Sequence, residues 1–280
     1  MKIFLWIVLK RNDEEFKVPP IEQIRTLEEA ARHLEDVEEI SIGRWLNILL
    51  KPGSSLGGAR PKATIQDIDG SFWIAKFPSK HDENNSGAWE MVAHELAVLC
   101  GINVPEAKLL NGNTFLVKRF DRDNDKRIHF ASAMTMLNKE DGEESSYLEI
   151  AEFLKTNSHK PKDDLLELWK RMVFNMAVSN TDDHLRNHGF IINKKGWELA
   201  PAYDINPVPY GDRLALNIID DNLISIDDAI RSAKYYHIGK SDADKIGKDI
   251  IEIVRTNWEE LARKHGISRA QVESMRAAFL

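Results

Sequence analysis

The sequence predicts an α+β chain of two lobes, a small and mainly antiparallel β lobe followed by a larger helical one. Three observations predict it. Between residues 52 and 120, two pairs of β-prone runs flank the turn signals Asp69-Gly70 and Asn111-Gly112-Asn113. Beyond residue 121, apolar residues recur at three- and four-residue spacing, the pattern of helices with one buried face. Among those helical stretches stands a polar segment, Asn180 to Asp204, that returns on itself through a short hairpin. The boundaries that follow are a lead-in segment over 1–51, the β lobe over 52–120 and the helical lobe over 121–280.

Composition bounds the function classes. At 280 residues the chain can bury a sizeable core, and with 42% hydrophobic and 30% charged residues it is an ordinary globular sequence, free of repeats and low-complexity tracts. A net charge of -7 argues against a broad nucleic-acid surface, although it leaves room for a local basic site. The single Cys100 lies in an apolar helical pattern, so the expectation is a buried, inert thiol in a reducing, cytoplasmic setting, without a disulfide framework or thiolate metal cluster. Ile3 to Leu9 is too short for a bilayer and lacks a small-residue cleavage site before Lys10-Arg11; it is expected to be a strand, with no membrane partner.

In chain order, Pro19-Pro20 ends the opening segment, and Ile21 to Val37 carries Ile21, Ile24, Leu27, Ala30, Ala31 and Leu34 at helical spacing. Pro52 to Lys62 is the most glycine-rich loop. Gly53 and Gly58 have the spacing of a Walker A sequence, but Ala59 stands where its lysine belongs. Loops of this kind let backbone N–H groups approach phosphate oxygens. The hairpin of 63–68 and 71–77 follows, with Trp73, Ala75 and Phe77 on one face and Phe72, Ile74 and Lys76 on the other. A lysine on an otherwise apolar face wants an anion, and the next helix, Ser86 to Cys100 with Ser86 as its cap, supplies Glu90 or Glu95. Ala107 to Leu110 and Thr114 to Lys118 form the second hairpin. Residues 121–141 read as a polar connection. Helices are expected over 146–156, over 163–179 with Leu165, Leu166, Leu168, Trp169, Met172, Val173, Met176 and Ala177 as its stripe, and over the acidic-capped stretches 241–254 and 268–279. Leu261 to Val272 also has the cadence of a DNA-binding helix-turn-helix, which the acidic chain and the core demand on those helices make an unfavoured expectation.

Chemistry concentrates at Asn180-Thr-Asp-Asp-His-Leu-Arg-Asn187. Asp182 and Asn187 have the Asp-x4-Asn spacing of a phosphoryl-transfer loop, in which the Asp accepts a hydroxyl proton and the Asn holds magnesium. The hairpin of 189–193 and 197–199 then brings Asp204 back as a second metal ligand. Spacing alone is weak, since Asp212 and Asn217 repeat it without a trailing hairpin. Two alternatives stand beside it: a metal-dependent hydrolase built on Asp182, Asp183, His184 and His188, and a non-catalytic interaction protein.

Taken together, Ser54-Ser-Leu-Gly-Gly-Ala-Arg-Pro-Lys62, Trp73-Ile-Ala-Lys-Phe-Pro78, Lys118-Arg-Phe-Asp-Arg122, the segment from Asn180 to Phe190 and Pro201-Ala-Tyr-Asp204 resemble the HipA-type serine/threonine kinase toxins. The resemblance implies a protein-kinase-like fold, use of ATP and Mg2+, and a toxin–antitoxin role in which a translation component such as an aminoacyl-tRNA synthetase is phosphorylated. It implies Asp182 as catalytic base and Asn187 and Asp204 as magnesium ligands. Ser55, Gly57, Gly58, Ala59, Arg60, Lys76, Lys118, Phe120 and His184 fall on the nucleotide side, with Lys76 on the phosphates and Lys118 and Phe120 at the adenine hinge. Ser55, and after it Ser54, matches the loop serine whose autophosphorylation silences family members; a dianion there would compete with ATP phosphates for the same N–H groups. Longer relatives carry an N-terminal subdomain that this sequence lacks, which implies either a split system with that piece on another chain or a compact variant, each with an antitoxin partner.

Overall fold

A computed structural model describes residues 18–36, 60–80, 82, 84–123 and 126–279. The opening run 3–9 and the glycine-rich residues Ser54, Ser55, Gly57, Gly58 and Ala59 lie outside the described residues.

A 3-10 turn, Ile21–Gln23, leads into helix α1 (Ile24–Asp36). Its buried Ile24, Leu27, Ala30 and Ala31 lie against a four-stranded antiparallel sheet, β1 (Lys62–Gln66), β2 (Phe72–Lys76), β3 (Ala107–Leu110) and β4 (Thr114–Lys118), in the order β1-β2-β4-β3. Register follows the alternation of side chains: Ile65 faces Trp73, and Ala63 and Leu116 flank Ala75. That row, with Phe77, forms a small core under α1. The opposite face carries Ile74, Lys76 and Val117 and stays open. Glu28 of α1 ties the helix to the β3–β4 turn by accepting from Asn111 (3.1 Å) and Thr114. The β1–β2 hairpin is shorter than its apolar run: the Gly70 N–H donates to the Asp67 carbonyl (2.9 Å), so residues 67–70 close a wider turn and Ile68 is left exposed.

Helix α2 (Ser86–Leu99) joins this lobe to the larger one. Its cap is Asn85, whose side chain accepts from the Ala88 N–H (3.2 Å) and donates to Gly112 (2.7 Å); Ser86 is the first helical residue. Trp89 on the far face meets Trp258 and Phe279. The larger core is built from α2, α4 (Tyr147–Asn157), α5 (Pro161–Ala177) and α7 (Lys240–Lys264), with the short α3 (Ala133–Met136), α6 (Ile226–Ser232) and α8 (Arg269–Met275) packed around it. In α5, Leu165, Leu168, Trp169, Met172, Val173 and Met176 are buried as their spacing requires, whereas Leu166 is 37% exposed on the outer side.

Two parts of this lobe differ from the sequence expectation. Residues 121–141 are not merely a connection. They hold the small hairpin β5 (Arg122–Asp123) and β6 (Lys126–Arg127), then β7 (Phe130–Ser132), which pairs with β8 (Gly189–Asn193), itself paired with β9 (Gly196–Leu199). A three-residue strand is too short for alternation to show. Helix α7 runs past Val254 to Lys264, and its N-cap is Gly239 rather than an acidic residue. The Leu261 to Val272 cadence is a packed helical pair: Ala262, Val272 and Met275 are buried, Lys264 donates to Glu95 (2.9 Å) and Arg276 to Glu259 (2.7 Å).

Candidate active site

The alternation of β2 turns Lys76 to the open face of the sheet, and two carboxylates meet it there. Its Nζ donates to Asp204 Oδ1 at 2.6 Å and to Glu90, which one turn of α2 carries over the same face. Glu95 turns away and accepts from Lys264 (2.9 Å), with His265 Nε2 lying 3.2 Å off, so Glu90 is the helix carboxylate that answers Lys76. Burial disfavours a charged Lys76, but Glu90 and Asp204 outweigh it and hold the ammonium above its ordinary range. Burial likewise pushes Asp204 up, yet the Lys76 charge and hydrogen bonds from Lys76 and Asn206 (3.0 Å) bring its carboxyl down to about 2. Glu90, more deeply buried, is raised. One cation thus lies between a firmly ionised carboxylate and one that burial makes reluctant to ionise.

Around this pair lies a cleft of about 300 Å³. The sheet contributes Lys62, Ile74, Lys76, Val117 and Lys118; the linker out of β4 contributes Arg119, Phe120 and Asp121; the helical lobe contributes Phe130, Arg186, Tyr203 and Asp204. Phe120, Phe130 and Tyr203 form one aromatic cluster, with centroids 5.7–6.1 Å apart. Apolar and aromatic walls beside a majority of basic over acidic side chains suit a flat heterocycle that carries an anionic tail. The Lys118 ammonium pairs with Glu106 (3.3 Å) and sits 5.8 Å from the Trp73 ring, on the α1 side of the sheet. Arg60 is tied to Asp82 (2.7 Å) and Ser86 at the start of α2.

The loop after α5 is fixed from beneath. Ser179 takes a left-handed φ of +46°, and the Asn180 N–H returns to the Asn175 carbonyl (2.8 Å). Asp183 is buried and accepts on Oδ2 from Asn175 (2.6 Å), His188 (2.8 Å) and the Tyr147 hydroxyl. Asn187 donates its amide to the Asp182 carbonyl (2.9 Å), and among the described residues its Oδ1 makes no hydrogen bond. Asp182 points outward, 77% exposed, with His184 Nε2 at 3.9 Å. Lys76, Glu90 and Asp204 are therefore brought into direct contact. Asn187 is joined to Asp182 through the backbone, and neither is among the residues that line the cleft; Asn187 faces the neighbouring pocket of Asp183, His188 and Tyr203.

This arrangement divides the cluster that suggested a metal-dependent hydrolase. Asp183 and His188 are committed to one another inside the core, Asp182 and His184 lie outside, and among the described residues no three His, Cys, Asp or Glu side chains are disposed to hold a metal. Sequence reasoning missed Asn175, Asn180 and Asn206 as site residues. Asparagines with no common spacing gave no signal. Tyr203 was quoted only as part of a motif, yet its hydroxyl donates to the Arg186 carbonyl (2.7 Å) and its ring lines the cleft.

Comparison with known proteins identifies the family and the fold. Residues 54–275 match the family model described as the HipA-like C-terminal domain. The chain is 27% identical over 245 residues to the putative kinase Y4mE of Sinorhizobium fredii, covering 76% of this chain and 51% of that protein. It is 28% identical over 208 residues to a putative kinase of Haemophilus influenzae, covering 61% and 60%. The chain thus spans roughly half of the curated relatives it matches, 51–60% of their length. Among solved structures it superposes on the Shewanella oneidensis toxin–antitoxin complex of HipA, HipB and operator DNA with a TM-score of 0.68 at 17% identity, covering 95% of this chain and 70% of that one. It superposes on the Helicobacter pylori proinflammatory kinase CtkA with a TM-score of 0.53 at 16% identity, covering 81% and 93%. The fold is the two-lobed kinase-like α+β fold of these structures.

Proposed function

The chain belongs to the HipA-like C-terminal domain family, and from that premise we propose that it is an ATP- and magnesium-dependent kinase acting on serine or threonine hydroxyls of a protein. The observation that carries the proposal is the Glu90–Lys76–Asp204 contact beside an aromatic-walled cleft, because a phosphate-contacting lysine and a metal-binding carboxylate must share one cleft in this chemistry. In the proposed reaction the substrate hydroxyl oxygen forms the new bond to the terminal phosphorus, the bond from that phosphorus to the bridging oxygen breaks, and ADP leaves with its electron pair. Asp182 takes the hydroxyl proton; its exposure suits a group that must meet a second protein.

The residues present fit magnesium. Asp204 stays ionised, and Asn187 keeps its carboxamide oxygen free because its nitrogen is spent on Asp182, so these two hard oxygen donors would hold the ion, which would neutralise charge on the nucleotide phosphates. Lys76 would turn from Asp204 toward the phosphate oxygens, with Glu90 keeping it oriented. Phe120, Phe130 and Tyr203 hold the base, and the linker backbone at Lys118 to Phe120 meets its edge.

Finer features rest on family membership and on the Shewanella relative's association with HipB and operator DNA. We include in the proposal a toxin role held in check by an antitoxin, a translation component such as an aminoacyl-tRNA synthetase as substrate, and autophosphorylation at Ser55 or Ser54. A cytoplasmic site of action belongs to the same proposal; no described helix is long and apolar enough to cross a membrane. Calorimetric titration with Mg-ATP tests the core of the proposal. Saturable binding to the wild type and its loss in Lys76→Met are expected; a wild type that binds no Mg-ATP overturns it.

A further inference from the structure

A line of carboxamides, half-buried at Asn206 and buried at Asn180 and Asn175, runs from Asp204 to the base of the loop that carries Asp182. Asn206 Nδ2 donates to Asp204 Oδ1 (3.0 Å), and the Asn206 backbone N–H donates to Asn180 Oδ1 (3.2 Å). Asn180 Nδ2 donates to Asn175 Oδ1 (3.1 Å), and Asn175 Nδ2 donates to Asp183 Oδ2 (2.6 Å). Asn175, Asn180 and Asp183 are each at most 4% exposed.

The direction of this line is forced. A backbone N–H can only donate, so Asn180 must present its oxygen to Asn206 and its nitrogen to Asn175. Asn175 must then answer with oxygen, which leaves its nitrogen for Asp183, a carboxylate that also collects donors from His188 and Tyr147. Neither carboxamide can flip without setting two acceptors or two donors face to face, at the cost of an unsatisfied buried group of about 1–3 kcal/mol. A polar line whose direction is fixed in this way specifies one arrangement of the segments it joins. The segments joined here are the residues after β9, the C-terminal turn of α5 and the loop at 180–187.

Resting on the kinase proposal above, we infer that Asn206 is a positioning residue for the cation: through Asn180 and Asn175 it registers the Asp204 carboxylate against the loop that carries Asp182 and Asn187. Asn206 touches neither substrate nor reacting atoms. It acts through Asp204, whose oxygen it shares with Lys76, and it holds that oxygen in place when Lys76 turns to phosphate.

Asn206→Ala deletes the link to Asp204 while its backbone N–H keeps the tie to Asn180. Nucleotide affinity is measured calorimetrically with ATP alone in chelator and with Mg-ATP, alongside kcat and the thermal midpoint. The expected result is unchanged ATP affinity in chelator and a midpoint lowered by only about 2–4 °C, as the loss of one hydrogen bond allows. The Mg2+ concentration for half-maximal transfer rises about 10–100-fold, the range found when a ligand loses an outer-shell partner. Asn180→Asp, which keeps the acceptor and removes the donor, gives the same magnesium defect with a lower kcat. If the wild type transfers phosphate and Asn206→Ala matches it in magnesium dependence and kcat, or weakens ATP binding equally with and without magnesium, the positioning role is overturned. A wild type inactive toward Mg-ATP instead defeats the kinase proposal beneath it.

Discussion

Lys76 is where the energetics of the site concentrate. Removing one partner of a buried ion pair strands the other, which typically costs about 3–5 kcal/mol. Lys76→Met is therefore expected to lower stability in chemical denaturation by an amount of that order. The double change Lys76→Met with Glu90→Leu should recover much of the stability while nucleotide binding stays lost. The Asp204 carboxyl, held down at about 2 by Lys76 and Asn206 against the opposing effect of burial, carries a signed pH dependence. Its contribution is present above the ordinary carboxylate range and is lost as pH falls from about 4 toward 2. Asp204→Asn should flatten the stability–pH curve in that window. Cys100 is pushed up to about 12 by burial, so its thiol should resist Ellman's reagent at pH 8 until denaturant exposes it. Much at this scale was legible in the sequence. The face alternation on β2 singled out Lys76, and the choice left between Glu90 and Glu95 is settled by the pairing of Glu95 with Lys264 and His265 on the other side of α2. The buried role of Asp183 was not legible, because two adjacent aspartates do not announce which one faces inward.

Helix α2 is the element on which the site turns, since it carries Glu90 and bridges the sheet to the larger core. Its first turn butts against the β3–β4 turn: a Cβ on Gly87 would stand 2.0 Å from the Asn113 carbonyl oxygen. Alanine favours a helix by about 1 kcal/mol over glycine. Gly87→Ala is nonetheless expected to lower the melting temperature and weaken Mg-ATP binding, because the helix or the turn must shift and Glu90 shifts with it. An unchanged midpoint would show that the turn yields freely. Elements with long periodic stripes, α1, α2 and α5, and hairpins with strong turn residues were readable from the sequence, the β3–β4 hairpin to the residue. The cap of α2 was misread by one position, since Asn85 and Ser86 are both cap formers and only the bond from Ala88 separates them. Strand β7 and helix α6 were unreadable because their few residues draw stability from tertiary partners rather than from their own pattern.

At the scale of the molecule, the two cores divide the labour. The small one under α1 makes the sheet a firm back wall, and the large one around α5 and α7 holds the loop at 180–187, so the cleft lies between surfaces that are each set independently. The bilobal plan was legible because turn-rich β segments and long helical stripes occupy separate halves of the chain. What the sequence left open was the placement of Asp182, whose outward exposure depends on how Asp183 is pulled in beneath it. The central claim is that these surfaces together transfer phosphate, and one measurement tests it most directly. Purified protein and its Asp182→Asn form are incubated with labelled ATP, magnesium and a bacterial lysate, and labelled proteins are resolved. The account predicts labelled serine or threonine residues with the wild type and a loss of about 10²–10⁴ in rate with the variant, while Mg-ATP binding persists. Equal labelling by both forms, or none by a wild type that binds Mg-ATP, would contradict it.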